Sequence, residues 1–266
     1  PEELEKIYPD WIEGAVKNGY SRELAERIFE ILVPFSSYAF NKSHSAAYAI
    51  LAYQIAYLKT HYRAEFMASL LTGNKDKTDD VKAYCEECTQ AGITILPPDI
   101  NESFPDFREQ RLSPSQWAIR FGFGALKGMG EGFSHAIVKE RETNGPFTSF
   151  ENFIERMHRH NEFRRPVVEI LLKAGAFDSL FGEERLEKKA RYLSLLDWYI
   201  ETHEAKYQDQ VEGLGSLFDI TEHHTLYQAP NKNIQHISLL DEFTMEQEVI
   251  GFPLTRRLIK QFQEKL

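Results

Sequence analysis

The stretch Gly124-Ala125-Leu126-Lys127-Gly128-Met129-Gly130-Glu131-Gly132 decides how the middle of this chain is interpreted. It follows an alternating apolar run over 117–123, which predicts a strand, and it precedes a helical pattern that reaches about Glu142. A Gly-x-Gly hairpin lets backbone N–H groups approach a phosphate with no side chain in the way, and the helix start adds its own N–H groups. The stretch therefore predicts a phosphate-binding hairpin, with a tight turn that binds nothing as the alternative.

Outward from this hairpin the chain is mainly helical. Ser21 caps the first predicted helix and Pro34 stops it, while Tyr62 marks a break in the longest one. Thr148 and Glu151 form a predicted capping box. The predicted helices cover about 21–33, 44–71, 79–90, 132–142, 151–157, 166–175 and 183–207, with a last element after 241 and a short strand over 93–96.

Composition limits the possible classes of protein. The 266 residues carry a net charge of -10, which argues against a basic nucleic-acid coat but leaves room for a local positive or amide-lined patch. No apolar run is long enough to span a bilayer.

Cys85 and Cys88 lack the further ligands of a zinc site, so we interpret them as half-buried thiols in a reducing cytoplasm. The chain starts at Pro1 with no initiator Met, which we interpret as a cut inside a longer protein.

Polar side chains gather where the long helix is predicted to start, in Phe40-Asn41-Lys42-Ser43-His44-Ser45-Ala46-Ala47-Tyr48. A helix N-terminus attracts phosphate through its free N–H groups and its dipole. Lys42 adds a positive charge, and His44 adds a group that can donate a hydrogen bond or a proton to a leaving pyrophosphate. The motif therefore predicts contact with phosphate groups. The alternative is that Ser43 only caps the helix beside a polar loop.

The same nine residues, followed by Tyr53-Gln54 and 61–67, closely resemble the fingers of bacterial DNA polymerase III alpha subunits. Four later segments match the family in the same order, over residues 95–101, 124–132, 172–178 and 248–252. The resemblance implies a mostly α-helical chain with small β elements, in which polymerase fingers helices precede a tandem helix-hairpin-helix domain. It divides the chain into the C-terminal part of the fingers (1–107), a DNA-binding helix-hairpin-helix region (108–207), and a linker with the start of a clamp-facing segment (208–266).

By this resemblance, the parent protein is a bacterial, cytoplasmic DNA-directed DNA polymerase that transfers nucleotides to a primer 3′ end. Its partners would be primer–template DNA, a deoxynucleoside triphosphate, the sliding clamp and other replicase subunits, with no membrane. The resemblance places the triphosphate beside Asn41, Lys42, Ser43 and His44. It places the DNA backbone beside Lys127, Gly128, Met129, Gly130, Gly132 and, in a second hairpin, Gly175. Gly175 serves equally well as the cap of a helix C-terminus.

A peptide that binds the sliding clamp is expected at Leu214-Gly215-Ser216-Leu217-Phe218. Leu214 stands where the family's peptide begins with Gln, which puts this expectation in doubt. The alternative is a loop that packs Leu217 and Phe218 onto the chain's own core.

Nucleotidyl transfer uses two metal ions held by closely spaced carboxylates, and the chain has no Asp-x-Asp pair on a predicted strand. We therefore expect no catalytic residue and no metal site here, and an inactive isolated chain; Mg²⁺ would serve the parent enzyme through ligands elsewhere. Asp79-Asp80 is interpreted as first-turn charge of a helix. Two alternatives stay open: a stand-alone, non-enzymatic helix-hairpin-helix DNA-binding protein, and an accessory, error-prone polymerase relative.

Overall fold

The computed structural model describes residues 2–37, 41–211, 230 and 234–255 of the chain. The chain divides into two compact units between His61 and Tyr62. The predicted fold class, mostly helical with small β elements, is confirmed. The first unit contains α1 (Glu2–Lys17), α2 (Arg22–Ser37) and α3 (Lys42–His61).

Helices α1 and α2 pack as a hairpin around Phe29. Phe29 is buried together with Ile12 and Ala25. The ring of Tyr8 meets the ring of Phe29 edge-on, with centroids 4.8 Å apart. The indole N–H of Trp11 donates to the carbonyl oxygen of Ala25 at 3.0 Å. Apolar burial and this cross-helix hydrogen bond therefore help to hold the two helices together.

The prediction that Pro34 ends α2 is wrong, because the helix continues to Ser37. A proline removes one backbone hydrogen bond and crowds the preceding turn. Pro34 lies only three residues before the end of α2, so the helix continues for less than one turn after it. The predicted cap at the other end is confirmed: the N–H of Leu24 donates to Ser21 Oγ at 3.2 Å.

Helix α3 is apolar on all sides, and none of its residues is buried. Its exposed large side chains are Tyr48, Ile50, Leu51, Tyr53, Ile55, Tyr57 and Leu58. A helix of this composition is normally surrounded by other protein, because water around so much apolar surface is unfavourable.

The second unit begins with the break that was predicted near Tyr62. Its helices are α4 (Arg63–Gly73), α5 (Thr78–Gln90), α6 (Glu131–Asn144), α7 (Phe150–Met157), α8 (Arg165–Lys173), α9 (Asp178–Phe181), α10 (Arg185–Ser194), α11 (Leu196–Val211) and α12 (Leu239–Val249). Two single-turn 3-10 helices cover Phe123–Ala125 and Gly182–Glu184. The strands are β1 (Thr94–Leu96), β2 (Arg108–Ser113) and β3 (Gln116–Arg120).

The three strands form one small sheet in the order β1-β3-β2. β1 runs parallel to β3, with Ile95 opposite Ile119, and β2 runs antiparallel to β3. The sequence patterns predicted β1 and β3 but missed β2. Its residues, Arg-Glu-Gln-Arg-Leu-Ser, lack an apolar alternation because β2 lies at the edge of the sheet and is mostly exposed.

A phenylalanine-rich core holds the second unit together. Phe121, Phe123, Phe133, Phe147, Phe150, Phe153 and Phe177 are all fully buried. Leu71 of α4 and Val81 of α5 belong to the same core. The residues on the two sides of the predicted boundary at 107 thus share one core, and a functional division at that point stays a prediction.

The continuous helix predicted over 183–207 is wrong. α10 ends at Ser194 and α11 begins at Leu196, and the intervening Leu195 leaves the helical region with φ -116° and ψ 14°. Leu195 and Leu196 are both buried. Both leucines at the break therefore contribute to the core of the second unit.

The predicted capping box at the start of α7 is displaced by one residue. The N-cap is Ser149, which has the extended backbone of a cap and accepts a hydrogen bond from the N–H of Asn152 at 3.1 Å. The N–H of Thr148 donates to the Asn152 side chain at 3.3 Å. Glu151 accepts a hydrogen bond from Tyr192 at 2.8 Å, so it is not part of a cap.

Cys85 and Cys88 lie buried on α5 as free thiols, more deeply than predicted. Burial raises the pKa of the Cys85 thiol to about 12, so that this thiol stays protonated at neutral pH. Among the helices of the described ranges, none combines the length and the apolar character that crossing a membrane requires.

Candidate nucleic-acid interface

The predicted hairpin lies between the 3-10 turn Phe123–Ala125 and the start of α6. Gly128 has φ +83°, a backbone conformation that residues with a Cβ rarely adopt. A Cβ at this position would also lie 3.0 Å from Cδ1 of Ile170, so α8 backs the hairpin. Gly130 is the N-cap residue of α6 and has an extended backbone. The turn therefore requires glycine at 128, whereas position 130 has an ordinary φ.

Gly130 is exposed, and a Cβ there would meet no heavy atom within 4 Å. Within the described part of the chain, the N–H groups of Gly128 and Gly130 donate to no other backbone group. The first N–H groups of an α-helix also lack partners inside their own helix. Together these N–H groups form a surface on which an anion can be bound.

The other two backbone N–H groups of the hairpin are engaged. The N–H of Lys127 donates to the carbonyl oxygen of Val249 at 2.8 Å, and that of Met129 donates to Leu126 at 3.1 Å. The side chain of Met129 is buried, whereas Lys127 is exposed. Of the predicted DNA contacts, the structure brings Lys127, Gly128 and Gly130 together at the surface and turns Met129 toward the core.

An ion pair ties the first turn of α6 to the segment after α4. Lys75 Nζ lies 2.7 Å from Glu131 Oε1 and 3.1 Å from Asp106 Oδ1. The hydrogen bond between Lys75 and Glu131 raises the pKa of the lysine and lowers the pKa of the carboxyl. Sequence reasoning missed Lys75, because 56 residues separate the two partners and no local pattern signals such a pair.

A carboxylate lies against the last glycine of the motif. A Cβ at Gly132 would collide with the carboxylate of Glu162, which belongs to the loop between α7 and α8. The same loop contacts α6 through Phe163, whose ring centroid is 6.1 Å from that of Phe133. The carboxylate of Glu162 therefore lies beside Gly132, one of the predicted DNA contacts, and the role of Gly132 stays a prediction.

Gly175, predicted in a second hairpin, ends α8 in a Schellman motif. The N–H of Gly175 donates to Leu172 at 3.1 Å and the N–H of Ala176 donates to Leu171 at 2.9 Å. Gly175 has φ +79° and is buried. Of the two roles open to this residue, the geometry favours the helix cap, because a buried N–H that is already bonded is closed to a phosphate.

The other predicted phosphate site lies at the start of α3, in the first unit. Asn41 is the residue that caps this helix: its Oδ1 accepts hydrogen bonds from the N–H of Ser43 at 2.9 Å and from Ser43 Oγ at 2.6 Å. The alternative that Ser43 is the cap is therefore wrong. The four predicted residues, Asn41 to His44, are adjacent and exposed. The His44 ring lies 4.2 Å from that of Tyr48, one turn further along the helix.

Two further predictions concern a clamp-binding peptide and metal binding, and neither involves the hairpin or the start of α3. The expected clamp peptide, Leu214 to Phe218, lies outside the described residues. In the described ranges, no three His, Cys, Asp or Glu side chains are grouped so as to hold a metal ion. Asp79 and Asp80 occupy the first turn of α5, and Asp80 lies 3.9 Å from Lys77.

Residues 92–188, which include the hairpin, match the family model described as the helix-hairpin-helix motif. Several similar proteins are each named DNA polymerase III subunit alpha. The relative from Neisseria meningitidis serogroup B is 37% identical over 96% of this chain and 21% of its own length. The Thermus aquaticus relative is 40% identical over 94% of this chain and 19% of its own length. The Escherichia coli K12 relative is 43% identical over 68% of this chain and 15% of its own length. The chain thus spans about a fifth of the length of the curated relatives it matches.

Proposed function

This chain is a homologue of the DNA polymerase III alpha subunits along nearly its whole length, and from that premise we propose that it forms part of a replicative DNA-directed DNA polymerase. Within such a polymerase, its own contribution is to hold the backbone of primer–template DNA and the phosphates of the incoming deoxynucleoside triphosphate. Nucleotide transfer to the primer 3′ end belongs to carboxylates elsewhere in the parent protein, so the 266-residue chain by itself is inactive.

The hairpin at Gly128–Gly130 is the observation that carries DNA binding. Gly128 and Gly130 are exposed beside the N-terminus of α6, and a Cβ at Gly130 would meet no heavy atom within 4 Å. Both glycines lie inside the residues that match the helix-hairpin-helix motif. N–H groups and a helix dipole attract phosphate oxygens of any nucleotide, so this contact holds the duplex without reading its sequence. Lys127 adds one positive charge beside them.

Fluorescence anisotropy of a labelled primer–template duplex, titrated with the 266-residue chain at several salt concentrations, tests this function. Gly130→Asp introduces a negative charge at the open position without backbone strain, and we expect it to weaken binding at least tenfold. Lys127→Ala should weaken binding less and reduce the salt slope by about 0.9, the value for one phosphate contact.

Gly73→Asp is the matched control for Gly130→Asp. Gly73 also has open space around it and needs no positive φ, so the new charge is the same but lies at the end of α4. A wild-type chain that does not bind at about 50 mM salt, or two aspartate variants that weaken binding equally, would overturn the proposed role of the hairpin.

Triphosphate contact is supported by the start of α3. Asn41 holds the first turn in place, which leaves Lys42 at the first helical position with its ammonium group in solvent. A charge at that position acts together with the helix dipole on a bound phosphate. Asn41, Lys42, Ser43 and His44 are the proposed contacts, with His44 placed to donate a hydrogen bond to the leaving phosphates.

Binding of a fluorescent deoxynucleoside triphosphate, followed by anisotropy, tests this second contact. Lys42→Ala and His44→Ala should each weaken binding, whereas Lys59→Ala, in the last turn of the same helix, should not. If His44→Ala and Lys42→Ala both bind the nucleotide as the wild type does, the chain serves DNA binding alone. That result would favour the stand-alone helix-hairpin-helix alternative.

The remaining partners follow from the parent enzyme. Magnesium would bridge the triphosphate, and its ligands would come from outside this chain. A sliding clamp and other replicase subunits are the proposed protein partners, and Leu214 to Phe218 is the segment proposed to meet the clamp. Clamp pull-down with the wild-type chain and with a Leu217→Ala, Phe218→Ala variant tests that segment: equal recovery of both would remove it from the interface.

A further inference from the structure

We infer that Glu162 is a built-in competitor of DNA at the hairpin, so that its carboxylate must leave Gly132 before a backbone phosphate can take its place. This inference rests on the proposed function, because it concerns the same phosphate-binding surface. Gly132 lies in the first turn of α6, two residues after the open position Gly130. The carboxylate of Glu162 is so close to it that no Cβ fits between them.

The backbone of the loop is fixed while the Glu162 side chain is not. Phe163 is buried and packs its ring against Phe133 of α6, which anchors the loop beside the hairpin. The N–H of Phe163 donates to the carbonyl oxygen of His160 at 2.9 Å, which closes a turn around residue 162. Glu162 itself is exposed. Its carboxylate therefore stays within reach of the N-terminus of α6 and can also swing into water at little cost.

Two arginines follow Glu162 in the sequence, and they differ in how their positive charge is balanced. The competition between Glu162 and DNA phosphate is therefore sensitive to the charge of Glu162. Arg164 Nη1 donates to the carbonyl oxygens of Asn161 at 2.6 Å and Phe163 at 2.7 Å. Carbonyl oxygens orient the guanidinium without cancelling its positive charge. Arg165, in contrast, is paired with Asp197 and Glu169. Removing the charge of Glu162 would leave the guanidinium of Arg164, two residues further along the same loop, with one fewer negative group nearby in sequence.

Glu162→Gln tests the inference, because it keeps the shape of the side chain and removes its charge. At about 0.1 M salt, the 266-residue chain with this change should bind the labelled primer–template duplex roughly five times more tightly, as expected for one unit charge about 4 Å from a phosphate in water. Tighter binding cannot arise from a misfolded variant. Glu155→Gln, at an exposed position of α7, is the matched control and should leave the affinity within twofold.

Gly132→Ala supplies a second measurement. The added Cβ pushes the Glu162 carboxylate away from α6, so Glu162→Gln should improve binding less in that background than in the wild type. The inference alone is overturned if Glu162→Gln binds DNA as the wild type does, or if Glu155→Gln improves binding equally. A wild-type chain that binds no duplex at low salt overturns the proposed DNA-binding function, and the competition with it.

Discussion

Lys189 and Glu242 form a buried ion pair, with 3.0 Å between Nζ and Oε1 and side chains only 1% and 3% exposed. Asp178 lies 3.2 Å from the same ammonium group, and Arg185 lies 3.1 Å from the carboxylate of Glu242. The four charges connect α9, α10 and α12. This network therefore holds α12 against α9 and α10.

Lys189→Met should lower the free energy of unfolding by about 3–5 kcal/mol, because it removes the buried ammonium group that lies between the carboxylates of Asp178 and Glu242. Urea unfolding of the 266-residue chain, followed by circular dichroism, measures the change. Lys188→Met is the control, since Lys188 pairs with Glu184 at the surface and its loss should cost less than about 1 kcal/mol. Equal midpoints for the two variants would contradict a structural role for the buried pair.

Gly175→Ala should destabilise the chain by about 1–2 kcal/mol, because alanine is disfavoured at the positive φ of the α8 cap. The added Cβ would also lie 3.0 Å from Oδ2 of Asp178. Thermal unfolding measures the effect. Gly73→Ala places its Cβ in open space at an ordinary φ, so it should leave the melting temperature unchanged or raise it. A Gly175→Ala variant that melts at the wild-type temperature would contradict the assignment of Gly175 as the cap of α8.

Ser149→Ala should lower the free energy of unfolding by about 1 kcal/mol, because it removes the acceptor that caps α7. Thr148→Ala, one residue earlier, should cost less, since only the backbone of Thr148 bonds to Asn152. Urea midpoints of the two variants separate the observed cap from the one that the sequence pattern predicted. The reverse order of midpoints would restore Thr148 as the cap.

Glu140→Gln should make the free energy of unfolding depend less steeply on pH in the acid range. Burial alone would raise the pKa of Glu140, but hydrogen bonds from Arg156 and Asn144 outweigh it and hold the pKa below its usual range. A lowered carboxyl pKa stabilises the fold fully above the unfolded value of about 4.3, and that contribution is lost as the pH falls through the folded value.

Urea unfolding between about pH 7 and pH 3 measures this dependence. As the pH falls below the unfolded pKa, the wild type should lose stability more steeply than Glu140→Gln. The plots of unfolding free energy against pH for the two proteins should converge as the pH falls through the folded pKa. Glu142→Gln, at an exposed position of the same helix, is the control and should keep the wild-type slope. Parallel curves for the wild type and Glu140→Gln would show that the Arg156 pair does not contribute.

Local patterns predicted much of the helical structure. α5, α6 and α8 each begin and end within a few residues of their predicted bounds, because periodic apolar residues and glycine ends act over one or two turns. Gly92 after α5 and Gly175 after α8 have the positive φ that such ends require. The break at Tyr62 was likewise predicted from the chain itself.

The candidate sites were predicted in part, for the same reason. The residues of the α3 start and the hairpin are consecutive in sequence, so their grouping needs no tertiary contact. The roles within each group did depend on structure. Asn41 rather than Ser43 caps α3, and Met129 points inward although its two glycine neighbours reach the surface.

The sequence by itself determined most of the helices and the grouping of residues in the two proposed phosphate-binding motifs, because both depend on neighbours along the chain. Only the tertiary structure decided that Lys189 is buried against Glu242, that Lys75 binds Glu131 and that Glu162 covers Gly132. In each of these pairs the partners lie 30 or more residues apart in sequence. The partners meet because burial of the phenylalanine-rich core brings distant elements together, and no local pattern encodes that meeting.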